Sequence, residues 1–330
     1  MHDDLGDLMK SSDPARTPAN APLDGRALFD LGEILADRPA RRLKHPSQRV
    51  RWFLIPAAAL AVIALVFLQI LPSNHRPGDS AMAATPPLLQ PSTTHESFAD
   101  AMDKAIAQLS DQPNPVLEPE RHAKFEAWYL DTDFDKHEVP TSYVSPQEQT
   151  TIWNSDLSGS LTIRAGRSTH YSDDVPASTT PPAQGTVLQA DVFEAGDMGI
   201  SNPAVPPTTS VEMLSYLQAA TGKGADATSS DLLDSVTSLL SEWTLPSRSE
   251  SAVLEALKSF GELKLAGSVT DRLGRNGYAF SAVDSGQHFE RLIVISTSTG
   301  RILSTEKIYI GGLKDLSIPS PSVVSYTAWK

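Results

Sequence analysis

The sequence predicts an α+β fold: an antiparallel meander sheet packed with three to four helices, preceded by one N-terminal transmembrane helix. Three observations carry this reading. Residues 52–71 (WFLIPAAALAVIALVFLQIL) are twenty residues without a charge. At about 1.5 Å rise per residue they span a hydrocarbon core of roughly 30 Å. Three stretches between residues 209 and 260 place apolar residues at helical spacing. From Leu263 onward the pattern changes to period two, in five stretches joined by Gly-containing turns. Runs of strands kept apart from runs of helices describe α+β rather than alternating α/β.

In chain order, residues 1–51 read as a cytoplasmic tail. Residues 1–23 are polar and turn-rich, a composition that buries too little apolar surface to fold. Asp24 is placed to cap a short helix over residues 24–37, in which Ala27, Leu28, Leu31, Ile34 and Leu35 form an apolar stripe. The stripe has nothing in the tail to pack on, so it is expected on a cytoplasmic partner protein or on the membrane surface. Within the apolar segment, Pro56 falls in the first turn, where a missing N–H is harmless, and Trp52 suits the interface. Arg38, Arg41, Arg42, Lys44, Arg49 and Arg51 precede the segment, whereas Arg76 alone follows it before Lys104. Basic flanks stay in the cytoplasm. The chain is therefore expected in the cell membrane as a single-pass protein, held by the lipid bilayer through residues 52–71, its N-terminus inside and its C-terminus outside. Ala81-Met82-Ala83 resembles a cleavage tripeptide, but it lies ten residues past the apolar run, which favours an uncleaved anchor. Residues 72–95 hold five prolines among small polar residues and read as an extended spacer.

Residues 96–330 then form the extracytoplasmic α+β domain. Phe98, Met102, Ile106 and Leu109 give the first helical period, and residues 123–130, 142–154 and 161–163 read as strands. Residues 174–208 are rich in Pro, Ser and Thr and read as a loop. Thr209 and Glu212 have capping-box spacing ahead of a helix, and Ser230 or Asp231 opens the next. The third carries Val253, Leu254, Leu257 and Phe260 on one face and stops at Gly261. The five period-two strands follow. Their aromatics, with Trp128 and Trp153, are expected between sheet and helices.

Composition limits the chemistry. The 330 residues contain no Cys, which excludes disulfides, thiolate metal sites and a Cys nucleophile. The net charge is −13. It is unevenly placed: residues 1–51 carry nine basic and eight acidic side chains, and residues 72–330 carry 18 and 32. An acidic outer domain is repelled by anionic lipid headgroups and by nucleic acid, so no nucleic-acid partner is expected. Neither a Gly-x-Ser-x-Gly elbow nor a Walker loop is present.

The densest cluster of metal-type ligands runs from Asp131 to Glu138, with Asp133, Asp135 and His137 as candidates. Its three aspartates match the opening of an EF-hand loop. Lys136 stands where that loop needs Gly, and Ser142 where it needs a bidentate acid, so the match fails. Two readings are left: a looser site on one strand face, where alternate residues lie together, or a solvated acidic loop. Glu290 and Glu306 are placed to face each other across a hairpin, which reads as a wet sheet face.

Several segments together carry a resemblance: the basic-flanked anchor, VPPTT before a short helix, and Leu245-Pro246 before AVLEAL. To these are added GSVTDRLGRNGYAF, TSTGRIL and the closing VVSYTAW. The chain resembles an uncharacterised actinobacterial family of single-pass membrane proteins with a C-terminal extracytoplasmic α+β domain. The resemblance covers the anchor and residues 205–330 best. It implies no activity or site residue, but the family's gene neighbourhood often includes alternative sigma factors.

The functional expectation is a membrane-tethered extracytoplasmic module, non-enzymatic and without a cofactor, that binds or senses a ligand. A sheet curved over helices would offer a groove to an apolar or peptide ligand. One alternative is a transmembrane regulator whose helix at residues 24–37 binds a partner such as a sigma factor. Another is a metal-dependent cell-envelope enzyme built on Asp133, Asp135 and His137.

Overall fold

The computed structural model describes residues 85–111, 116–133, 141–167, 182–284, 286, 288–312 and 318–330. The expected tail helix over residues 24–37, the apolar segment over 52–71 and the first part of the spacer lie outside the described residues. Among those described, no helix is long and apolar enough to cross a membrane.

Helix α1 (Phe98–Asp111) buries Ala101, Met102, Ala105 and Leu109 along one stripe. Ser97 caps it, its Oγ accepting from the Asp100 N–H at 3.1 Å. Four strands follow: β1 (His122–Asp133), β2 (Thr141–Trp153), β3 (Gly159–Ala165) and β4 (Val187–Phe193). β4 corrects the loop expected over residues 174–208. Its residues are almost all exposed, so it carries no burial period; its pairing with β3 makes it a strand.

Three helices come next: α2 (Ser210–Ala220), α3 (Ser229–Glu242) and α4 (Ser247–Phe260). At α2 the Thr209 hydroxyl donates to Glu212 at 2.7 Å, and neither side chain caps the backbone. α3 starts earlier than its sequence suggested, because Thr228 and Asp231 form the reciprocal capping box. α4 ends at Gly261, whose φ of 84° is left-handed, as the helix stop requires. The last strands are β5 (Lys264–Thr270), β6 (Asn276–Val283), β7 (Phe289–Ser296), β8 (Ile302–Tyr309) and β9 (Ser322–Trp329).

Among the described residues these strands make one nine-stranded sheet in the order β4-β3-β2-β1-β9-β8-β7-β6-β5. All of its pairings are antiparallel. The expected five-strand meander is thus joined, at the β1–β9 pair, to a second meander of four. The main core lies between the sheet and the helices, where Leu217, Leu233, Val236, Leu254 and Leu257 meet Phe280, Ile293 and Ile295. This is the α+β arrangement.

The other face of the sheet is also covered in part. Trp128, Ile308, Val323, Tyr326 and Ala328 form one cluster there with Leu88 against it, and Leu89 packs on a second around Val269 and Val294. Ser92 then pairs with Ser268 on the β5 edge, by N–H···O bonds of 2.8 and 2.9 Å. Residues 85–92, read from sequence as spacer, therefore belong to the packed domain. Two of the aromatics expected under the helices, Trp128 and Tyr326, lie on this second face, whereas Trp153 and Phe280 lie in the main core as expected.

One turn makes a sharp prediction. Gly300 has φ +72°, and a Cβ there would sit 2.0 Å from the backbone oxygen of Ala105 in α1. Gly274 has φ +81° with open space around it. Gly274→Ala is expected to cost about 1 kcal/mol for its backbone conformation, and Gly300→Ala more than about 2 kcal/mol because the clash is with backbone. Urea unfolding of the two variants tests this, and equal costs would refute it.

Candidate functional site

α3 carries two stripes. Leu232, Val236, Leu239 and Leu240 face the main core. Asp234, Thr237, Ser238 and Ser241, at helical spacing of three and four, line a cleft over the sheet instead. The cleft floor comes from the strand register. Arg291 in β7 pairs with Lys307 in β8, Lys307 with Ser325 in β9, and Ser325 with Tyr129 in β1. Thr305 and Thr327 pair in the next row on the same face. One transverse row of four strands thus presents two cations, a hydroxyl and a phenol to the polar stripe of α3.

The charges do not cancel. Arg291 donates from Nε and Nη2 to the two Asp234 oxygens at 2.7 and 2.9 Å, which fixes its fork. Its Nη1 is buried and has no hydrogen-bond partner. Lys307 makes no hydrogen bond among the described residues; its Nζ lies 4.5 Å from the Phe289 ring centroid. Burial pushes the Lys307 ammonium down to about 8, and the Arg291 charge adds to that shift. Asp234 and Asp284 oppose it. Like charges directly across a ladder destabilise it. Glu306 also borders the cleft, but its carboxylate is bound by Arg272. Along β8 it alternates with Thr305 and Lys307, so it belongs to the other face.

The cleft is small, about 50 Å³. That is room for a few ordered waters or for the end group of a ligand, whereas pockets that enclose a small molecule run to about 300–1,000 Å³. A wider hollow lies beside Ser92, Ser268, Thr270 and Asn276, and it has no charged side chain. Charge recognition therefore points to the cleft under α3.

The residues singled out in the sequence fall elsewhere. Asp133 is the last residue of β1, paired with Thr141; its side chain, Asp135 and His137 lie outside the described residues. Among the described residues no group of three His, Asp or Glu could hold a metal. Glu290 and Glu306 do not face each other: Glu290 pairs with Ile308, and Leu292 with Glu306. The sequence carries only a faint signal for the cleft. It is a lone Arg in FERLIVIS, a lone Lys in STEKIYI, and the 234-237-238-241 polar stripe in a helix otherwise rich in Leu.

Set against known protein families, curated proteins and solved structures, the chain finds no match.

Proposed function

We propose that this chain is a membrane-tethered binding or sensing module that works on the outer side of the cell membrane. In this reading residues 52–71 are the anchor, residues 1–51 lie in the cytoplasm, and the ligand engages the cleft between α3 and the sheet. The observation that supports it most is the opposed cation pair Arg291–Lys307 on the cleft floor, of which Asp234 balances only one charge. Its groups offer recognition: a guanidinium held in place by Asp234, an ammonium, and the hydroxyls of Ser238 and Ser325. The small, polar space favours a ligand's polar end over an enclosed lipid tail.

The chain's lack of Cys makes a direct test possible. Ser238→Cys, at the cleft wall, is expected to react with a membrane-impermeant maleimide on intact cells. Protection from the reagent would end the outer-side placement. With the purified full-length chain, cell-envelope extract is expected to slow labelling at Ser238→Cys and leave Val211→Cys, 77% exposed on α2, unchanged. Equal rates with and without extract would end the binding reading.

A further inference from the structure

The cleft under α3 also indicates what chemistry its ligand carries; this step rests on the binding reading above. We propose that the cleft is a receptor for a single oxyanion group, held between the free Nη1 of Arg291 and the Nζ of Lys307.

The argument starts from the register. Arg291 and Lys307 are directly opposed on adjacent strands, and Arg291 is nine-tenths buried. A buried guanidinium normally satisfies its whole fork. Here Nε and Nη2 are used on Asp234, and Nη1 is left without an acceptor. The ammonium of Lys307 adds a second unbonded donor in the same row, resting on an aromatic face.

Of the charged side chains around the cleft, Glu306 is taken by Arg272 on the other face of the sheet. That leaves two cations, Arg291 and Lys307, against Asp234. The excess is one positive charge, inside a domain whose sequence is strongly acidic. A monoanion cancels that excess and supplies the acceptors both donors lack. The surrounding hydroxyls of Ser238 and Ser325 can donate to its remaining lone pairs. The volume of about 50 Å³ suits one such group rather than a whole metabolite. The charge count favours a carboxylate; a phosphate shares the oxyanion chemistry and is the other source.

The test uses the full-length chain in mild detergent, titrated calorimetrically with acetate, succinate and inorganic phosphate, with chloride as control. Saturable binding of an oxyanion at roughly millimolar Kd is expected, the range open to so few ligand atoms. The tighter of the carboxylate and phosphate arms identifies the source. Lys307→Met is expected to weaken this binding at least tenfold while raising the melting temperature of the ligand-free protein, since it removes one of two opposed cations. Lys307→Arg should retain binding within a few-fold. A purely structural lysine would give neither the loss of binding nor its rescue by Arg. Absence of saturable binding to any oxyanion, or binding unchanged in Lys307→Met, overturns the proposal. If envelope extract still protects Ser238→Cys in that case, the binding reading stands and only the oxyanion assignment falls; if extract gives no protection, both fall.

Discussion

Arg272→Met is expected to lower the unfolding free energy by about 3–5 kcal/mol, the cost of stranding a buried partner charge, and to free residues 85–92 from the sheet. The Glu306 side chain is fully buried, and Arg272 meets it with Nε at 2.6 Å and Nη2 at 3.1 Å. Burial raises the Glu306 carboxyl above its ordinary range, and Arg272 is the main influence opposing that rise. The guanidinium also lies 5.5 Å from the Trp128 ring and 5.7 Å from the Tyr326 ring. From the same nitrogen that binds Glu306 it reaches the Pro87 carbonyl at 3.0 Å. One side chain therefore neutralises the sheet and fastens the chain that leads into it. Methionine keeps the apolar stem and removes all three polar contacts. Urea unfolding would read the stability, and hydrogen exchange at the Ser92 and Ser268 amides would read the docking. The double variant Arg272→Met/Glu306→Leu should recover most of the loss, because no carboxylate is then left unpaired. A loss under about 1 kcal/mol with both amides still protected would show the pair to be of the weak, surface kind.

That contact also shows where sequence reading stopped. Period two after Leu263 was legible because strands with one face on a core repeat every second residue, and α4 was legible from its stripe and Gly261. Residues 85–92 were not, because Pro, Leu and Ser in a row look the same whether extended in solvent or laid on a sheet. β4 was hidden for the converse reason: Val187, Leu188 and Val192 are about half exposed or more, so hydrophobicity there does not track burial. Thr228 was passed over as the cap of α3 because the Ser-Ser-Asp that follows offers equally good capping chemistry.

The site fared worse, for a physical reason. Arg291 and Lys307 are sixteen positions apart in sequence and adjacent only through the β7–β8 register. That register contains a bulge between Val294 and Ile295, and one extra residue in the count changes which side chains oppose each other. The expected facing pair is Glu290 and Glu306; in the structure Glu290 pairs with Ile308, and the facing charges are Arg291 and Lys307. Local clustering, which drew attention to Asp133, Asp135 and His137, reports proximity along the chain only.

Among the described residues, two other buried carboxylates are matched by arginine. Glu250 is bound by Arg301 and by the Ile302 N–H, and Asp271 by Arg275. Lys307 beside Arg291, and Glu242, differ from these: neither has an ion-pair partner among the described residues. The first is the proposed oxyanion receptor. The second has a different consequence, for pH.

Glu242→Gln is expected to stabilise the protein by about 3 kcal/mol at pH 8 and to leave it nearly unchanged at pH 4. Glu242 is the last residue of α3 and only 2% exposed. Burial pushes its carboxyl up to about 7 from 4.5, and the Ser201 N–H that it accepts at 2.8 Å offsets only part of the rise. A negative charge at a helix C-terminus is also opposed by the helix dipole. The sign follows from where the proton sits. Between pH 4.5 and 7 the unfolded chain has released it while the native state still holds it, so native stability falls as pH rises through that window. Below 4.5 both states are protonated and the advantage of the fold is complete; above 7 both are charged and it is gone. Glutamine keeps an oxygen for Ser201 and never ionises, so its contribution is flat. Glu250 and Glu306 are present in both proteins, and subtracting the two pH profiles leaves Glu242 alone. Urea midpoints of both proteins at intervals from pH 4 to pH 8 would trace the difference. Parallel profiles would mean that Glu242 ionises in the native state as freely as in water, and that the contact with Ser201, rather than a retained proton, holds this end of α3.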